Sequence, residues 1–239
     1  MNGRIHSFQS LGTVDGPGVR CVVFVQGCPL RCICCHNPDT WDFSGGNEVD
    51  TDSLVKKILR YRSYFGENGG VTVSGGEPLC QANFVAELFS KLKTAGVHTA
   101  LDTSGCVLNS DVLKLLQYTD LVLLDHKYPT DEEYRKYTGG SLESIEKFML
   151  ELEKRQIKTW LRRVIIPQKS DSIKSVQELN AFANRFSCVE RIELLPFRNL
   201  CNEKYEKLGI EFSLKDAETP SNELMGELYA NIDKKYKLK

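Results

Sequence analysis

Four of the nine cysteines in this 239-residue chain lie within eight residues, at Cys28, Cys32, Cys34 and Cys35. Three of them, Cys28, Cys32 and Cys35, follow the spacing Cys-x3-Cys-x2-Cys. Three thiolates on one short loop can hold three irons of a four-iron cubane cluster, and the fourth iron is then without a protein ligand. A substrate can bind at that open iron. The spacing therefore predicts a metal centre that contacts its substrate directly.

A zinc site is the alternative for the same loop, and it needs a fourth protein ligand. Cys34, His36 and the distant Cys201 are the candidates for that position. Zinc sites usually combine two Cys-x2-Cys pairs separated by a longer stretch, and no second pair follows here. The scattered cysteines are interpreted as buried core thiols: Cys21, Cys80, Cys106, Cys188 and Cys201. The pattern favours an iron–sulfur cluster and leaves zinc as the alternative.

The segments that must position this loop alternate between strand-like and helix-like patterns. Six short runs rich in apolar and β-branched residues predict strands at residues 19–25, 71–74, 97–102, 120–125, 159–166 and 191–195. Runs that are apolar on both faces are typical of a buried parallel sheet. Helical stripes lie between them, and the last predicted helix covers residues 221–234. The alternation predicts an α/β fold made of βαβ units.

Five of the six predicted strands lead directly into a polar or glycine-rich cluster. The clusters are Gly27-Cys28, residues 74–78, 102–105, 125–127 and 196–198. An open sheet binds ligands mainly at one switch point, whereas a barrel gathers the ends of all its strands around one mouth. Five clusters therefore favour a barrel, and six units predict a partial (βα)6 barrel of the TIM type. We expect one domain over residues 1–239, with a cluster loop at 27–41 and a C-terminal helical extension from about 200 to 239.

The charge balance excludes partners that are held by bulk charge. Lys and Arg number 31 and Asp and Glu 32, for a net charge of −1, so nucleic acid and acidic lipid surfaces are not expected. No apolar run approaches the ~20 residues that span a bilayer, and the first residues lack the apolar segment of a signal peptide. An odd number of cysteines disfavours a disulfide framework. We expect a cytoplasmic protein without a membrane partner.

Several further motifs accompany the cysteine loop. They are Asp15-Gly-Pro-Gly within residues 12–20, Gln26-Gly-Cys28, residues 35–42, Val73-Ser-Gly-Gly-Glu-Pro78, Leu101-Asp-Thr-Ser-Gly105, Leu124-Asp-His-Lys127, Trp160-Leu-Arg162 and Glu193-Leu-Leu-Pro196. With the cysteine spacing, this set resembles the radical S-adenosylmethionine (SAM) enzymes and, among them, the activases of glycyl radical enzymes. The resemblance extends over nearly the whole chain.

The resemblance implies an oxidoreductase with a [4Fe-4S] cluster on Cys28, Cys32 and Cys35 and with SAM at the open iron. A 5′-deoxyadenosyl radical formed from SAM would then abstract hydrogen from a glycine of a partner glycyl radical enzyme. Pyruvate formate-lyase is the first candidate for that partner, with a flavodoxin or ferredoxin as electron donor. A monomer is expected. No side chain is expected to act as acid or base, because the cofactors carry the chemistry.

The same resemblance implies which residues contact SAM: Cys34, His36, Gly75, Gly76, Glu77, Asp125, His126, Lys127 and Arg198. Asp125 and Lys127 alternate on a strand end and point to one side; taken alone, they predict an ordinary salt bridge. His126 between them is interpreted as a contributor of backbone only. Two positions depart from the family pattern, since Cys34 stands where an aromatic residue is usual and Arg198 where histidine is usual.

Two smaller sets of residues follow from the resemblance. Asp102, Thr103 and Asp125 are implied as oxygen ligands of a monovalent cation, and Asp15 and Arg162 as contacts of the partner's glycine loop. Strand alternation sends Arg162 and the adjacent Arg163 to opposite faces. In the alternative interpretation, Arg163 extends outwards between helices and Arg162 pairs with a core carboxylate.

Other functions fit parts of the pattern. A radical SAM enzyme that acts on another glycyl radical enzyme or on a small metabolite would share the cysteine loop. No cysteine lies between Cys35 and Gly75, so the additional cluster-binding segment of some other activases is not expected. In a different functional class, a non-catalytic iron–sulfur or zinc module would use a fourth protein ligand.

Overall fold

The computed structural model describes residues 1–237, so residues 238 and 239 of the predicted C-terminal extension lie outside the described residues. Within residues 1–237 the strands are β1 (Asn2–Gly12), β2 (Arg20–Val25), β3 (Asn47–Asp50), β4 (Gly70–Gly75), β5 (His98–Thr103), β6 (Leu121–Asp125), β7 (Lys158–Ile165) and β8 (Val189–Pro196). The α-helices over the same range are α1 (Thr51–Leu59), α2 (Ala82–Thr94), α3 (Ser110–Leu115), α4 (Asp131–Thr138), α5 (Leu142–Arg155), α6 (Ile173–Ala183), α7 (Asn202–Leu208) and α8 (Asn222–Ala230).

All six predicted strands are confirmed, and they are β2, β4, β5, β6, β7 and β8. The pairs β2–β4, β4–β5 and β7–β8 are parallel. Their central residues are buried, as Val22, Val23 and Val73 illustrate with no exposed surface. Burial on both faces explains why these strands have continuous apolar sequences, from which they could be predicted. The α/β prediction is therefore confirmed.

The expectation of six strands was too low, because the structure also contains β1 and β3. Strand β1 pairs antiparallel with β2, and β3 pairs antiparallel with β1. The strand order is β3-β1-β2-β4-β5-β6-β7-β8, so the two additional strands lie at one edge of the sheet. Edge strands keep exposed polar residues, as in the Asn-Glu-Val-Asp of β3, and such sequences lack the apolar pattern of a buried strand.

The chain divides into two compact units. The N-terminal unit comprises Met1–Pro29 and Thr40–Leu123, and the C-terminal unit comprises Leu30–Asp39 and the residues from Leu124 onwards. One boundary lies inside the cysteine loop, which leaves Cys28 in the first unit and Cys32 to Cys35 in the second. The expectation of one domain over the whole chain stays a prediction.

The helices bury the apolar stripes that the sequence predicts. Helix α2 buries Phe84, Val85, Leu88, Phe89 and Leu92 in the N-terminal unit, and α5 buries Ile145, Phe148, Met149 and Leu152 in the C-terminal unit. The last α-helix is shorter than predicted because it ends at Ala230, and a 3-10 turn follows at Lys234–Tyr236. Among residues 1–237, no helix has both the length and the apolar character needed to cross a lipid bilayer.

Candidate functional site

In the N-terminal unit, Cys28 comes shortly after β2 and is held by main-chain bonds. Gly27 N donates to Thr40 O at 2.8 Å, and Cys28 N donates to Trp41 O at 3.3 Å. Gly27 has φ = +93°, and a Cβ there would lie 2.5 Å from the ring of Phe43. Only glycine fits this conformation and this close approach. The Cys28 thiol is half-buried and forms no disulfide.

In the C-terminal unit, the rest of the cysteine loop is bonded to the end of α4. Arg31 N donates to Thr138 O at 2.8 Å, and Ile33 N donates to Tyr137 O at 2.9 Å. A further bond of 3.1 Å from Cys35 N to Cys32 O closes a tight turn. Cys32 and Cys35 are half-buried and form no disulfide, so one turn carries two partly exposed thiols.

Exposure separates the predicted cluster ligands from Cys34 and Cys201, but not from Cys80 and Cys106, which are half-buried as well and are not the buried core thiols that the sequence predicts. Cys34 is 6% exposed and Cys201 1% exposed. Burial raises the pKa of the Cys34 thiol to about 11, which keeps it protonated at neutral pH. Half-buried thiols such as those of Cys28, Cys32 and Cys35 fit the predicted role of iron ligands. The described residues contain no preformed group of three His, Cys, Asp or Glu side chains arranged for a metal ion, so these ligands stay a prediction.

Gly75 and Gly76 at the end of β4 pack against the start of the cysteine loop. Gly76 N donates to Val25 O, and Glu77 N donates to Gly27 O, both at 2.8 Å. A Cβ on Gly75 would lie 2.4 Å from Val25 N, and a Cβ on Gly76 would lie 2.3 Å from Gly27 O. These glycines are therefore required for main-chain packing beside Cys28, in addition to the predicted approach of SAM.

The carboxylate of Glu77 joins two strand ends of the N-terminal unit. It is buried and accepts bonds from Thr103 Oγ1, from Ser104 N and Oγ, and from Leu79 N. Burial raises the pKa of Glu77, and these donors oppose that rise. The structure therefore commits this side chain to the fold, and the predicted SAM contact of Glu77 is left to its backbone.

Asp102 and Asp15 occupy polar positions of the same unit. Ser74 Oγ donates to Asp102 Oδ2 at 2.7 Å, which connects the ends of β4 and β5. Thr72 Oγ1 donates to Asp15 O at 2.6 Å and itself accepts from Arg20 Nε at 2.7 Å. Arg20 is completely buried and supports the turn that contains Asp15, a role that the sequence analysis missed.

Asp125 and Lys127 form a close ion pair in the C-terminal unit, with 2.6 Å between Lys127 Nζ and Asp125 Oδ2. Burial disfavours the charged form of Lys127, but the Asp125 carboxylate and the nearby Cys32 and Cys34 thiols together outweigh burial and hold the pKa of Lys127 well above its usual value. The expected alternation onto one side is confirmed. The pair presents a permanent positive charge beside a carboxylate.

His126, by contrast, is part of the core. Its ring packs 4.1 Å from the ring of Phe182, and its Nδ1 lies 2.5 Å from Arg163 Nη2. Burial, together with the positive charge of Arg163, lowers the pKa of His126 well below 6.5, so the ring is neutral. The backbone N of His126 donates to Arg162 O at 2.9 Å. The ring of His126 therefore supports the strand end rather than joining Asp125 and Lys127.

The two adjacent arginines of β7 are both buried. Arg163 is 1% exposed and bonds to Ser175 O and Oγ as well as to His126. Arg163 therefore extends towards α6, as the alternative interpretation expects, but does not reach solvent, because neighbouring carbonyl, hydroxyl and imidazole groups satisfy its donors. Arg162 is 7% exposed, and its Nε lies 3.4 Å from Glu193 Oε2. That geometry matches the alternative pairing with a core carboxylate.

A segment near the C-terminus, residues 197–212, contacts the cysteine loop within the C-terminal unit; we call it the C-terminal clamp. His36 Nε2 lies 2.7 Å from Arg198 O, while the Arg198 side chain is exposed. Lys204 Nζ lies 2.8 Å from Asn37 Oδ1 and 3.1 Å from Asp39 Oδ2, and Tyr205 hydroxyl donates to Cys35 O at 3.1 Å. Sequence reasoning missed Lys204 and Tyr205, because nothing in their local pattern marks contacts so distant along the chain.

Comparison with known proteins connects this geometry to a family. A family model described as a 4Fe-4S single cluster domain matches residues 14–145, more than half of the chain. A pyruvate formate-lyase-activating enzyme from Clostridium pasteurianum is 44% identical over 222 residues, which cover 92% of this chain and 93% of that protein.

Two solved structures share the fold. One is a domain of a pyruvate-formate lyase-activating enzyme from Bacteroides vulgatus, with a TM-score of 0.56 at 22% identity over 69% of this chain and 92% of that one. The other is Streptococcus suis SuiB bound to S-adenosylmethionine, with a TM-score of 0.60 at 13% identity over 80% of this chain and 46% of that one. The likeness confirms the predicted partial-barrel fold of the radical SAM type. By its identity over nearly the whole sequence, the chain belongs to the family of pyruvate formate-lyase-activating enzymes, radical SAM enzymes that use a [4Fe-4S] cluster and SAM.

Proposed function

We propose that this protein activates a glycyl radical enzyme by removing a hydrogen atom from the α-carbon of one glycine, and that the partner is pyruvate formate-lyase. The observation that carries the proposal is the 44% identity, over 92% of the chain, to an enzyme named for activating pyruvate formate-lyase. Glycine suits hydrogen abstraction, because it has no side chain to block approach and its loop can flex.

Cys28, Cys32 and Cys35 hold the cluster in this proposal. The [4Fe-4S] cluster and SAM, when bound, together supply a 5′-deoxyadenosyl radical by reductive cleavage of a carbon–sulfur bond of SAM. The partial exposure of these three thiols, none of which forms a disulfide, supports this ligand set, as does the burial of Cys34 and Cys201. The chain itself contributes binding, orientation and shielding, and no side chain needs to move a proton.

Asp125 and Lys127 orient SAM in this proposal. The protonated Lys127 donates to the SAM carboxylate, and Asp125 accepts from ribose hydroxyls; bonds to charged groups of this kind are strong and directional. Because Gly75 and Gly76 have no side chains, the methionine amino group of SAM can approach their backbone atoms. Cys34, His36 and Arg198 add contacts from the loop and the clamp. We assign Glu77 and His126 supporting roles, since their side chains are already bonded within the fold.

The remaining roles concern the partner and ions. Asp15 and Arg162 receive the partner's glycine loop, with Arg162 held by Glu193. Asp102 and Thr103, with Asp125, supply the oxygen ligands of a monovalent cation. A flavodoxin or ferredoxin delivers the electron. The protein works as a monomer in the cytoplasm.

Anaerobic reconstitution tests the proposal. The protein is loaded with iron and sulfide and reduced, and its electron paramagnetic resonance spectrum is recorded with and without SAM. We expect SAM to change the cluster spectrum, and we expect an organic radical on pyruvate formate-lyase together with 5′-deoxyadenosine in equal amount. A reduced cluster that cleaves no SAM and yields no radical on the partner would refute the proposal.

The same assay separates the alternatives. Glycine-loop peptides of different glycyl radical enzymes replace the full partner, and radical yield identifies the preferred one. If SAM is cleaved but no peptide carries a radical, the protein acts on a small metabolite. If iron binds and SAM leaves the spectrum unchanged, the chain is an iron–sulfur module.

A further inference from the structure

Tyr205, in the C-terminal clamp, bonds to the backbone of a predicted cluster ligand. Its hydroxyl donates to Cys35 O at 3.1 Å. The bonds from Arg198 and Lys204 of the clamp reach residues 36, 37 and 39 of the loop, which follow the last predicted ligand.

The Tyr205 hydroxyl is held firmly in place. The side chain is 3% exposed, and its ring stacks on Phe212 with 4.3 Å between ring centroids and an angle of 18° between ring planes. Phe212 is itself buried and lies 6.4 Å from the ring of Phe197. A hydroxyl on a ring fixed in this way offers its bond at little cost in side-chain entropy.

A bond to the carbonyl of Cys35 restrains the backbone from which the Cys35 thiol projects. The direction of the Cβ–Sγ bond depends on that backbone, so the carbonyl anchor limits how far the sulfur can swing. Replacing an outer group that orients a metal ligand commonly weakens the binding of the metal.

We propose that Tyr205 is a positioning residue for the cluster, which holds the third thiol in place through the Cys35 carbonyl and slows the loss of iron. This inference rests on the proposed function, since it takes Cys35 as a cluster ligand. In this proposal Tyr205 acts through the Cys35 backbone, so its role is to position a ligand and not to take part in the chemistry.

The test compares two buried tyrosines of the same unit. Tyr205→Phe removes the hydroxyl and keeps the stacking ring. Tyr236→Phe is the matched control, because Tyr236 is 2% exposed and its hydroxyl bonds to Asn184 Oδ1 at 3.0 Å, on groups outside the cysteine loop and the clamp. Each reconstituted protein is mixed anaerobically with an iron chelator, and the rate of iron release is followed by absorbance. Thermal unfolding of the metal-free proteins is measured in parallel.

We expect Tyr205→Phe to release iron about fivefold faster than the wild type, the effect of one lost hydrogen bond, and Tyr236→Phe to release iron at the wild-type rate. Both variants should lower the unfolding temperature to a similar extent. Phe212→Leu keeps the hydroxyl but loosens the ring, so its release rate should fall between those of Tyr205→Phe and the wild type.

Equal iron release from Tyr205→Phe and Tyr236→Phe would overturn the inference, because the hydroxyl would then be only a structural bond. If that result occurs in a protein whose wild type binds a cluster and responds to SAM, the proposed function survives. If the wild type holds no iron–sulfur cluster at all, the proposed function fails first.

Discussion

The two parts of the cysteine loop are held in different ways. Cys28 depends on main-chain bonds from Gly27 and Cys28 to Thr40 and Trp41, only a few residues along the chain. Cys35 lies in a stretch that has main-chain bonds to α4 and, in addition, a bond from the Tyr205 hydroxyl, which is 170 positions away in sequence. We therefore expect the first part to be sensitive to backbone shape and glycine positions, and the second part to be sensitive also to individual distant side chains. The following changes test that contrast, beginning with the largest expected effect.

Replacing any one predicted ligand should remove the cluster from both parts of the loop. We expect Cys28→Ser, Cys32→Ser and Cys35→Ser each to retain at most about a tenth of the wild-type iron, since each removes a thiolate from a set of three. Cys34→Ala and Cys201→Ala should retain normal iron, because both thiols are buried. Iron and sulfide analysis after anaerobic reconstitution measures this, and loss of iron in Cys34→Ala would contradict the ligand assignment.

A single methyl group should disturb the Cys28 part selectively. The added Cβ in Gly76→Ala would lie 2.3 Å from Gly27 O, next to Cys28. We expect a loss of about 1–3 kcal/mol in the free energy of unfolding, together with weaker iron retention. Urea unfolding of the metal-free protein gives the first value.

Gly226→Ala is the control for this change, because a Cβ at Gly226 in α8 meets no atom within 4 Å. Alanine in a helix interior should leave stability unchanged or raise it by about 0.5–1 kcal/mol. Unaltered stability of Gly76→Ala would show that the β4 end can move away from the loop.

A smaller effect is expected where the clamp contacts the loop beyond Cys35. Lys204→Met removes the bonds to Asn37 and Asp39, and we expect iron release to quicken about twofold, as for a part-exposed ion pair. Lys207→Met is the matched control, since Lys207 is 78% exposed and pairs only loosely with Glu203 on its own helix. The rates of iron release to a chelator are compared for the two variants. Identical rates would show that Lys204 does not restrain the loop.

The smallest expected effect concerns the loss of stability in acid. Each unit contains a carboxylate whose pKa is lowered to a similar value. Bonds from Lys91 and Thr51 lower the pKa of Glu87 to about 2, and bonds from Ser187 and Cys188 lower that of Glu153 to about 2. A carboxylate whose pKa is lowered in the folded state stabilises the fold above about pH 4.5, and this contribution is lost as the pH falls towards 2.

We therefore expect the urea midpoint of the wild type to fall between pH 5 and pH 3, and expect Glu87→Gln and Glu153→Gln each to flatten that decline slightly. Midpoints measured at pH 7, 5 and 3 test this. A variant whose decline is as steep as that of the wild type would show that its carboxylate does not contribute to the pH dependence.

Much of the fold could be predicted from the sequence. The six central strands were predicted because burial on both faces leaves continuous apolar runs such as Val22 and Val23. Strand β3 was missed because it is an edge strand with polar residues, and β1 because it is only partly buried although it lies between β3 and β2. Within the site, alternation correctly placed Asp125 and Lys127 on one side of a strand.

Other site features had no local signal. Arg20, Arg162 and Arg163 are buried because partners such as Thr72, Glu193 and His126 lie beside them only after folding. Glu77 looked like a ligand-contacting residue beside two glycines, yet its carboxylate joins two strand ends. A buried polar group needs partners, but the sequence does not say which ones.

The amino-acid sequence by itself determined three thiols on one short loop and the periodic burial of the central strands, because spacing and periodicity are properties of neighbouring residues. Only the tertiary structure decided what holds that loop. Tyr205 and Lys204 reach the loop from 170 and 167 positions away, and such contacts arise when packing brings distant segments together.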